Sequence, residues 1–365
     1  MCPRKCEVTD MKTRSLRRKR LFGNLLTYCI VAAAFVILQL LNAGGMLSPS
    51  LQGQLVPICA YVTMAVALNL VVGISGELSL GHAGFMSIGA FAGSALALAL
   101  QSTVTLSPLR LALAMVFGAV IAAALGFLIG IPVLRLNGDY LAIVTLAFGE
   151  IIKSIITNVY LGVDENGLQF SFLSNKNELA DGGVELIRGP MGVMNTQRIS
   201  TFIAGFVLVL VALVVIFNLV NSRTGRAVMA ARDNRIAAES VGISATKYKL
   251  MAFVTSAVLA GAAGALYAMN YSSIAAKKFD FNTSILVLVF VVLGGMGNIR
   301  GSIIAAVILT ALPELLRGLN DYRMLIYAIV LIVMMIFNSS PKVLEKRAVL
   351  KEKFRNKKNT AKEAA

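Results

Sequence analysis

Residues 198–271 read RISTFIAGFVLVLVALVVIFNLVNSRTGRAVMAARDNRIAAESVGISATKYKLMAFVTSAVLAGAAGALYAMNY. Two apolar runs, 198–220 and 249–271, flank a charged, helix-forming island at 221–249. Each run is close to the roughly 20 residues a helix needs to cross the hydrocarbon core of a bilayer. The island is too polar to lie in lipid, so it is expected to emerge on one side as a contact surface.

Working outward, further apolar runs fall near 21–41, 55–73, 83–100, 109–131, 140–161, 283–294, 302–316 and 322–338, making ten candidate spans. The 365 residues are 57% hydrophobic and 14% charged, with a mean hydropathy of +0.78, far from soluble composition. The expected fold is all-α: a polytopic transmembrane helix bundle of about ten spans with Gly-interrupted helices. The first run follows a basic arm without a small-residue cleavage site, so it is expected to be a retained span rather than a signal peptide.

The net charge of +16 is concentrated in three segments, +6 in 1–20, +4 in 221–249 and +6 in 342–365. The positive-inside rule assigns all three to the cytoplasm. Both termini and the island then require an even number of spans on either side of Asn221, which six before and four after satisfy. The resulting organisation is a basic arm 1–20, a membrane domain 21–338 with an inner loop 221–248 and an outer loop 162–197, and a basic tail 339–365. Gly, Asn and Asp clusters predict turns in the outer loop, with room for a short re-entrant or surface helix. Without a separate soluble domain, the high pI points to anionic membrane lipid and not to nucleic acid.

Two glycine-rich breaks interrupt the apolar pattern, GISGELSLGHAGF at 73–85 and GGMGNIRG at 294–301. They supply Gly73, Gly76, Glu77, Gly81, His82 and Gly84 in the first and Gly294, Gly295 and Gly297 in the second. Irregular backbone at membrane depth is tolerated where protein buries it or a watery cavity meets it, and paired breaks point to a solute path. Ordinary turns with close small-residue packing fit the same residues. Glu150 and Lys153 share one helix face at i, i+3 inside an apolar run. Charges at bilayer centre cost about 2.5–3.5 kcal/mol each on insertion scales, so the pair marks a path unless that run ends near the interface. Glu314 with Arg317, and Arg135 with Asp139, read as anchors at span ends.

His82 is the only histidine, which argues against a zinc centre, a triad or a His-cluster switch. Its competing roles are helix capping or packing and contact with a solute. Cys2, Cys6, Cys29 and Cys59 form no metal-ligand spacing. No GxxxxGK[ST], GxSxG or HExxH occurs, so an intrinsic enzymatic activity is not expected.

Within the island, RDNRIAAESVGIS (232–244) places two alanines and a glutamate three residues before a glycine. Small residues on one helix face allow another protein's groove to approach, and Gly242 permits a sharp exit. This resembles the EAA-type coupling segment of ABC importer permeases, with the order Ala237-Ala238-Glu239. Four further blocks, at 73–90, 136–152, 249–268 and 292–306, make the chain similar to the permease subunit of high-affinity branched-chain amino acid ABC importers. The resemblance covers nearly everything after the basic arm, with departures at Arg235, where acidic residues are frequent, and Ser302, where Pro is.

The resemblance implies that Arg232, Asp233, Asn234, Ala237, Ala238, Glu239 and Gly242 face a cytoplasmic ATPase. It further implies a homologous second permease subunit, two ATP-binding-cassette ATPases, an extracytoplasmic amino-acid-binding protein and a bacterial plasma-membrane location. ATP and Mg would be bound by the partner ATPases, with no cofactor in this chain. Leucine, isoleucine or valine is the implied solute, and urea, amides or other amino acids travel on the same scaffold. An ion-coupled carrier using Glu77, Glu150 and Lys153 and a non-transporting scaffold are the rivals. A gradient-driven carrier needs no docking helix, and a passive scaffold gains nothing from Gly-interrupted spans and mid-membrane charges.

Overall fold

A computed structural model describes residues 25–45, 48–101, 103–136, 138–164, 167–172, 184–316 and 322–339. The basic arm 1–20, the tail beyond 339, the centre of the outer loop and Arg317 lie outside the described residues. The helices are α1 (Leu25–Ala43), α2 (Pro49–Asn69, continued by a π-turn Leu70–Ser75), α3 (His82–Ala99), α4 (Ser107–Val133), α5 (Asp139–Thr157) and α6 (Phe202–Asn221). The island folds as α7 (Arg223–Asp233) and α8 (Arg235–Ser240), followed by α9 (Ala245–Ala268), α10 (Phe281–Gly294), α11 (Ile299–Leu315) and α12 (Arg323–Ser339). Every one of the ten apolar runs contains a helix. Among the described residues seven helices are long and apolar enough to cross a membrane: α1, α2 with its π-turn, α3, α4, α5, α6 and α9. The chain is a mostly helical, polytopic membrane protein.

Helix starts follow local chemistry. The Ser48, Thr201 and Asp280 side chains accept from the N–H groups of Leu51, Ala204 and Thr283, and Pro49 occupies the first turn of α2, where its missing N–H costs nothing. The chain divides into two units, Met1–Val307 and Ile308–Ala365, the second holding the end of α11 and α12. All the geometry below belongs to the first.

Its centre is the packing of α3 against α4 and α9. A Cβ placed on Gly89 would lie 2.0 Å from the Gly261 carbonyl oxygen, one on Gly264 would lie 1.9 Å from that of Met86, and one on Gly118 would lie 2.7 Å from that of Gly89. Lipid tails are as apolar as leucine, so helices in a bilayer associate through close van der Waals contact, which small residues permit. Glycine at these crossings brings backbone onto backbone. The core they create, with Met86, Ala114, Ala260 and Leu266, is fully buried.

The outer loop departs from expectation. Helix α5 ends at Thr157, and a three-stranded antiparallel sheet follows: β1 (Val159–Asp164), β2 (Gly167–Phe172) and β3 (Val184–Arg188), ordered β2-β1-β3. The Gly, Asn and Asp clusters predicted turns with room for a short re-entrant or surface helix, and no strands. Between those residues, VYLGVD, GLQFSF and VELIR carry β-branched and aromatic residues, and Asn166-Gly167 is a strong hairpin signal. Leu186 and Ile187 of β3 are buried in the main core.

Gly264→Val should cost at least the roughly 1–3 kcal/mol typical of overpacking. Gly53→Ala, whose Cβ meets nothing within 4 Å, should be neutral or stabilising. Thermal unfolding of the purified protein in detergent checks both, and equal midpoints for the two variants would contradict the packing described.

Candidate functional site

The first glycine-rich break begins as a π-turn. The N–H groups of Gly76 and Glu77 both donate to the Val71 carbonyl, reaching back five and six residues. This pattern leaves the Gly73 carbonyl without its usual acceptor role in the ladder, where an α-helix would pair it with the N–H of Glu77. Gly76 then turns the chain at φ +75°, a left-handed value that side chains disfavour.

From Gly76 the chain returns without regular secondary structure and meets α5. The Leu80 N–H donates to Thr145 Oγ1 (3.0 Å), and a Cβ on Gly81 would lie 2.1 Å from the Thr145 carbonyl oxygen. Helix α3 therefore starts deep in the bundle. His82 Nε2 lies 3.3 Å from Ser256 Oγ, whose hydroxyl donates to the Ala67 carbonyl (2.6 Å). Ser256 is eleven residues into α9, about 17 Å along it at helical rise. Helix α2 passes that level at Ala67 and runs on to Ser75 before the chain doubles back. The Ala83 N–H donates to Ser284 Oγ of α10 (3.2 Å), and Gly84 approaches Gly149 of α5. Ser75 Oγ, Ser79 Oγ, His82 Nδ1 and Ser87 Oγ are buried without a hydrogen-bond partner in the protein, four of the seven such atoms among the described residues. Unpaired polar atoms are rare in packed interiors, so their concentration here marks polar capacity held in reserve.

The second break meets the first at Asn69, which is fully buried. Its Oδ1 accepts from the Gly297 N–H (2.8 Å), and its Nδ2 donates to Ser302 Oγ (2.9 Å). A Cβ on Gly73 would lie 2.1 Å from the Gly297 nitrogen. Gly294, at the end of α10, presses on Gly301 and Ser302 at the start of α11, and Gly295 continues the turn at φ +90°.

The island closes on the same point. Arg232, near the end of α7, donates from Nη1 to the freed Gly73 carbonyl (2.9 Å) and from Nε and Nη2 to Asp233 Oδ1 (3.2 and 3.0 Å). Lys249, in the second turn of α9, pairs with Glu77, and both side chains are nearly buried at 11% and 12% exposure. Asn234 breaks α7 from α8 and caps the latter by accepting from the Ala237 N–H (3.0 Å). Gly242, at φ +83°, ends α8 with paired bonds, its own N–H to the Glu239 carbonyl and that of Ile243 to the Ala238 carbonyl. Ala238 faces inward onto Ala231, Ala245 and Ile243, while Ala237 is exposed, so the two alanines do not share a face. Glu239 pairs with Arg235 (3.0 Å). Ile236 and Val241 stand 82% and 74% exposed on this outer side. A groove of about 610 Å³ opens beside it, lined by Glu77, Leu78, Asp139, Arg232, Ile236 and Lys249 among others.

Glu150 and Lys153 form the expected ion pair (2.6 Å) on α5, partly exposed and with no contact to Arg232 or the Lys249–Glu77 pair among the described hydrogen bonds and ion pairs. The structure thus brings Gly73, Gly76, Glu77, Gly294, Gly297 and Arg232 together and stations Gly81, His82 and Gly84 at the inserted start of α3.

Residues 50–337 match the family described as "Branched-chain amino acid transport system / permease component". The chain belongs to that family. It is 38% identical over 291 residues to the high-affinity branched-chain amino acid transport system permease protein LivM of Salmonella typhimurium, and 36% identical over 291 residues to that of Escherichia coli. Each match covers 76% of this chain and 66% of the relative, so the chain spans slightly under two thirds of their length. It is also 28% identical over 216 residues to the fructose import permease protein FruG of Bifidobacterium longum, covering 56% of this chain and 58% of that one. No solved structure matches.

For a permease-family chain, the junction contains two residues that the sequence reading passed over. Asn69 is a lone amide within the apolar run AYVTMAVALNLVVG, and a polar side chain inside a span is itself a signal. Lys249 looked like the end of a solvated island. Asn69→Leu should lower the thermal midpoint by several degrees, because each buried partner left unpaired costs about 1–3 kcal/mol. An unchanged midpoint would mean that the two breaks do not depend on this side chain.

Proposed function

We propose that this chain is a permease subunit of an ATP-binding-cassette importer that carries leucine, isoleucine or valine across the bacterial plasma membrane. Partner ATPases supply the energy and bind ATP and Mg, a second homologous permease completes the pore, and an extracytoplasmic amino-acid-binding protein delivers the solute. The observation that carries the reading is the convergence of the island on both glycine-rich breaks at Gly73. A contact surface for a motor is of use where it touches the moving part of a path, and here one side chain spans the two.

Alternating access requires that a buried route open first to one side and then to the other. The inserted start of α3 suits that task. A helix N-terminus carries partial positive charge and favours a carboxylate, while the reserve polar atoms of Ser75, Ser79, His82 and Ser87 offer hydrogen bonds once helices part. The surroundings of α3 are otherwise aliphatic and aromatic, in keeping with an apolar amino-acid side chain. Exposed Ile236 and Val241 give the island an apolar contact for an ATPase groove, framed by the Arg235–Glu239 pair. The Glu150–Lys153 pair, half-exposed on a membrane helix, suits a face toward the second permease or an aqueous path, because lipid would not tolerate it.

Co-expression with candidate ATPases, followed by purification through this chain, tests the assembly. The double variant Ile236→Asp, Val241→Asp should reduce ATPase recovery at least ten-fold, and full recovery would contradict the docking role. In cells, uptake of labelled leucine, isoleucine and valine should require this chain and an ATPase able to hydrolyse ATP. Uptake driven by an ion gradient alone would favour the carrier reading. Glu150→Ala should lower uptake several-fold with normal expression, and wild-type uptake would remove it from the path.

A further inference from the structure

We infer that Arg232 and the Lys249–Glu77 pair form a two-point latch that fastens the island to the end of α2, and through it transmits island movement to the buried start of α3. The inference rests on the importer reading above and identifies the residues that connect its two halves.

Three observations carry it. The π-turn diverts the Gly76 and Glu77 N–H groups to Val71, which frees the Gly73 carbonyl, and Arg232 Nη1 takes it at 2.9 Å. The arginine stem also lies against the turn, since a Cβ on Gly76 would come within 2.5 Å of Arg232 Cγ. Independently, Lys249 grips Glu77 one residue further on, in a nearly enclosed pair. Two cations from two different helices thus meet the carbonyl end of α2, where the helix dipole favours positive charge.

The island side of the latch moves as one piece. Ala231 of α7, Ala238 of α8 and Ala245 of α9 pack together with Ile243, so displacement of α8 carries both Arg232 and the start of α9. Asp233, 69% exposed beside the groove, fixes the other edge of the Arg232 guanidinium and so lies where a docked partner reaches it. On the membrane side, Gly73 touches Gly297, and the segment after Glu77 runs along α5 to His82. Movement of the island therefore pulls on the end of α2, the second break and the start of α3 together. Each point of the latch is a directional, charge-assisted contact that transmits force in either direction.

The test uses the assembled importer in proteoliposomes, reading ATP hydrolysed and labelled leucine accumulated in the same vesicles. Arg232→Met, Glu77→Gln and Lys249→Met should copurify with the ATPases and hydrolyse ATP, while leucine moved per ATP falls at least five-fold. The exchange Glu77→Lys with Lys249→Glu should recover at least half of the native ratio, and Arg232→Lys, which keeps charge but cannot bridge Gly73 and Asp233 together, should fall between. An unchanged ratio in Arg232→Met and in Lys249→Met would overturn the latch. So would loss of ATPase copurification in Arg232→Lys, because the residue would then be a docking contact only. Failure of the unaltered chain to bind any ATPase would instead defeat the importer reading itself.

Discussion

A carbonyl deprived of its helical partner inside an apolar bundle must find another donor, and the carbonyl of Gly73 finds one on a residue 159 positions away. Gly73 is buried, and a buried backbone group left without a partner costs about 1–3 kcal/mol. Arg232 satisfies the break in α2, and Asn69 satisfies the backbone of the second break beside it. The same requirement that permits the irregular backbone of the two breaks ties it to the polar island.

Close backbone approach supplies the rest. Gly89, Gly261, Gly264 and Gly118 let α3, α4 and α9 touch without side chains between them, giving a rigid frame against which shorter pieces can shift. The pieces outside that frame are the π-turn, the irregular 76–81 segment, the 14-residue α10 and the turn at Gly295–Gly297. Besides close packing, hydrogen bonds at Asn69, Thr145 and Ser284 tie them to one another and to α3 and α5. Hydrogen-bonded joints can exchange partners with little change in volume, which a close-packed core cannot do. That division of labour suits a path that must open and close.

Much of this was legible in the residues. The ten apolar runs each held a helix, the island emerged as two short helices, and Gly242 ended α8 in the expected left-handed turn. The two breaks at 73–85 and 294–301 were read as one kind of feature, but periodicity does not reveal that they touch. Contact between Gly73 and Gly297 depends on how α2, α10 and α11 pack across more than 200 residues, and a local pattern carries no such distance. Glu77 was grouped with the path and Arg232 with the motor contact, whereas both sit at the junction. The sheet at 159–188 was missed because loop composition outweighed three short strand patterns and an Asn-Gly turn. Glu150 and Lys153 were seen as a pair from their i, i+3 spacing, and spacing alone did not separate them from the junction.

The most direct measurement of the central claim is a pair of distances followed through the ATP cycle by electron–electron double resonance in the assembled complex. One pair of spin labels replaces the exposed Ile236 and Leu78, across the groove that Arg232 bridges. The second replaces Ile236 and the exposed Val120 on the rigid α4. The latch predicts that the 236–78 distance stays constant between nucleotide-free and ATP-trapped states while the 236–120 distance changes. A 236–78 distance that changes between the two states would show the island sliding free of α2, and would contradict the account.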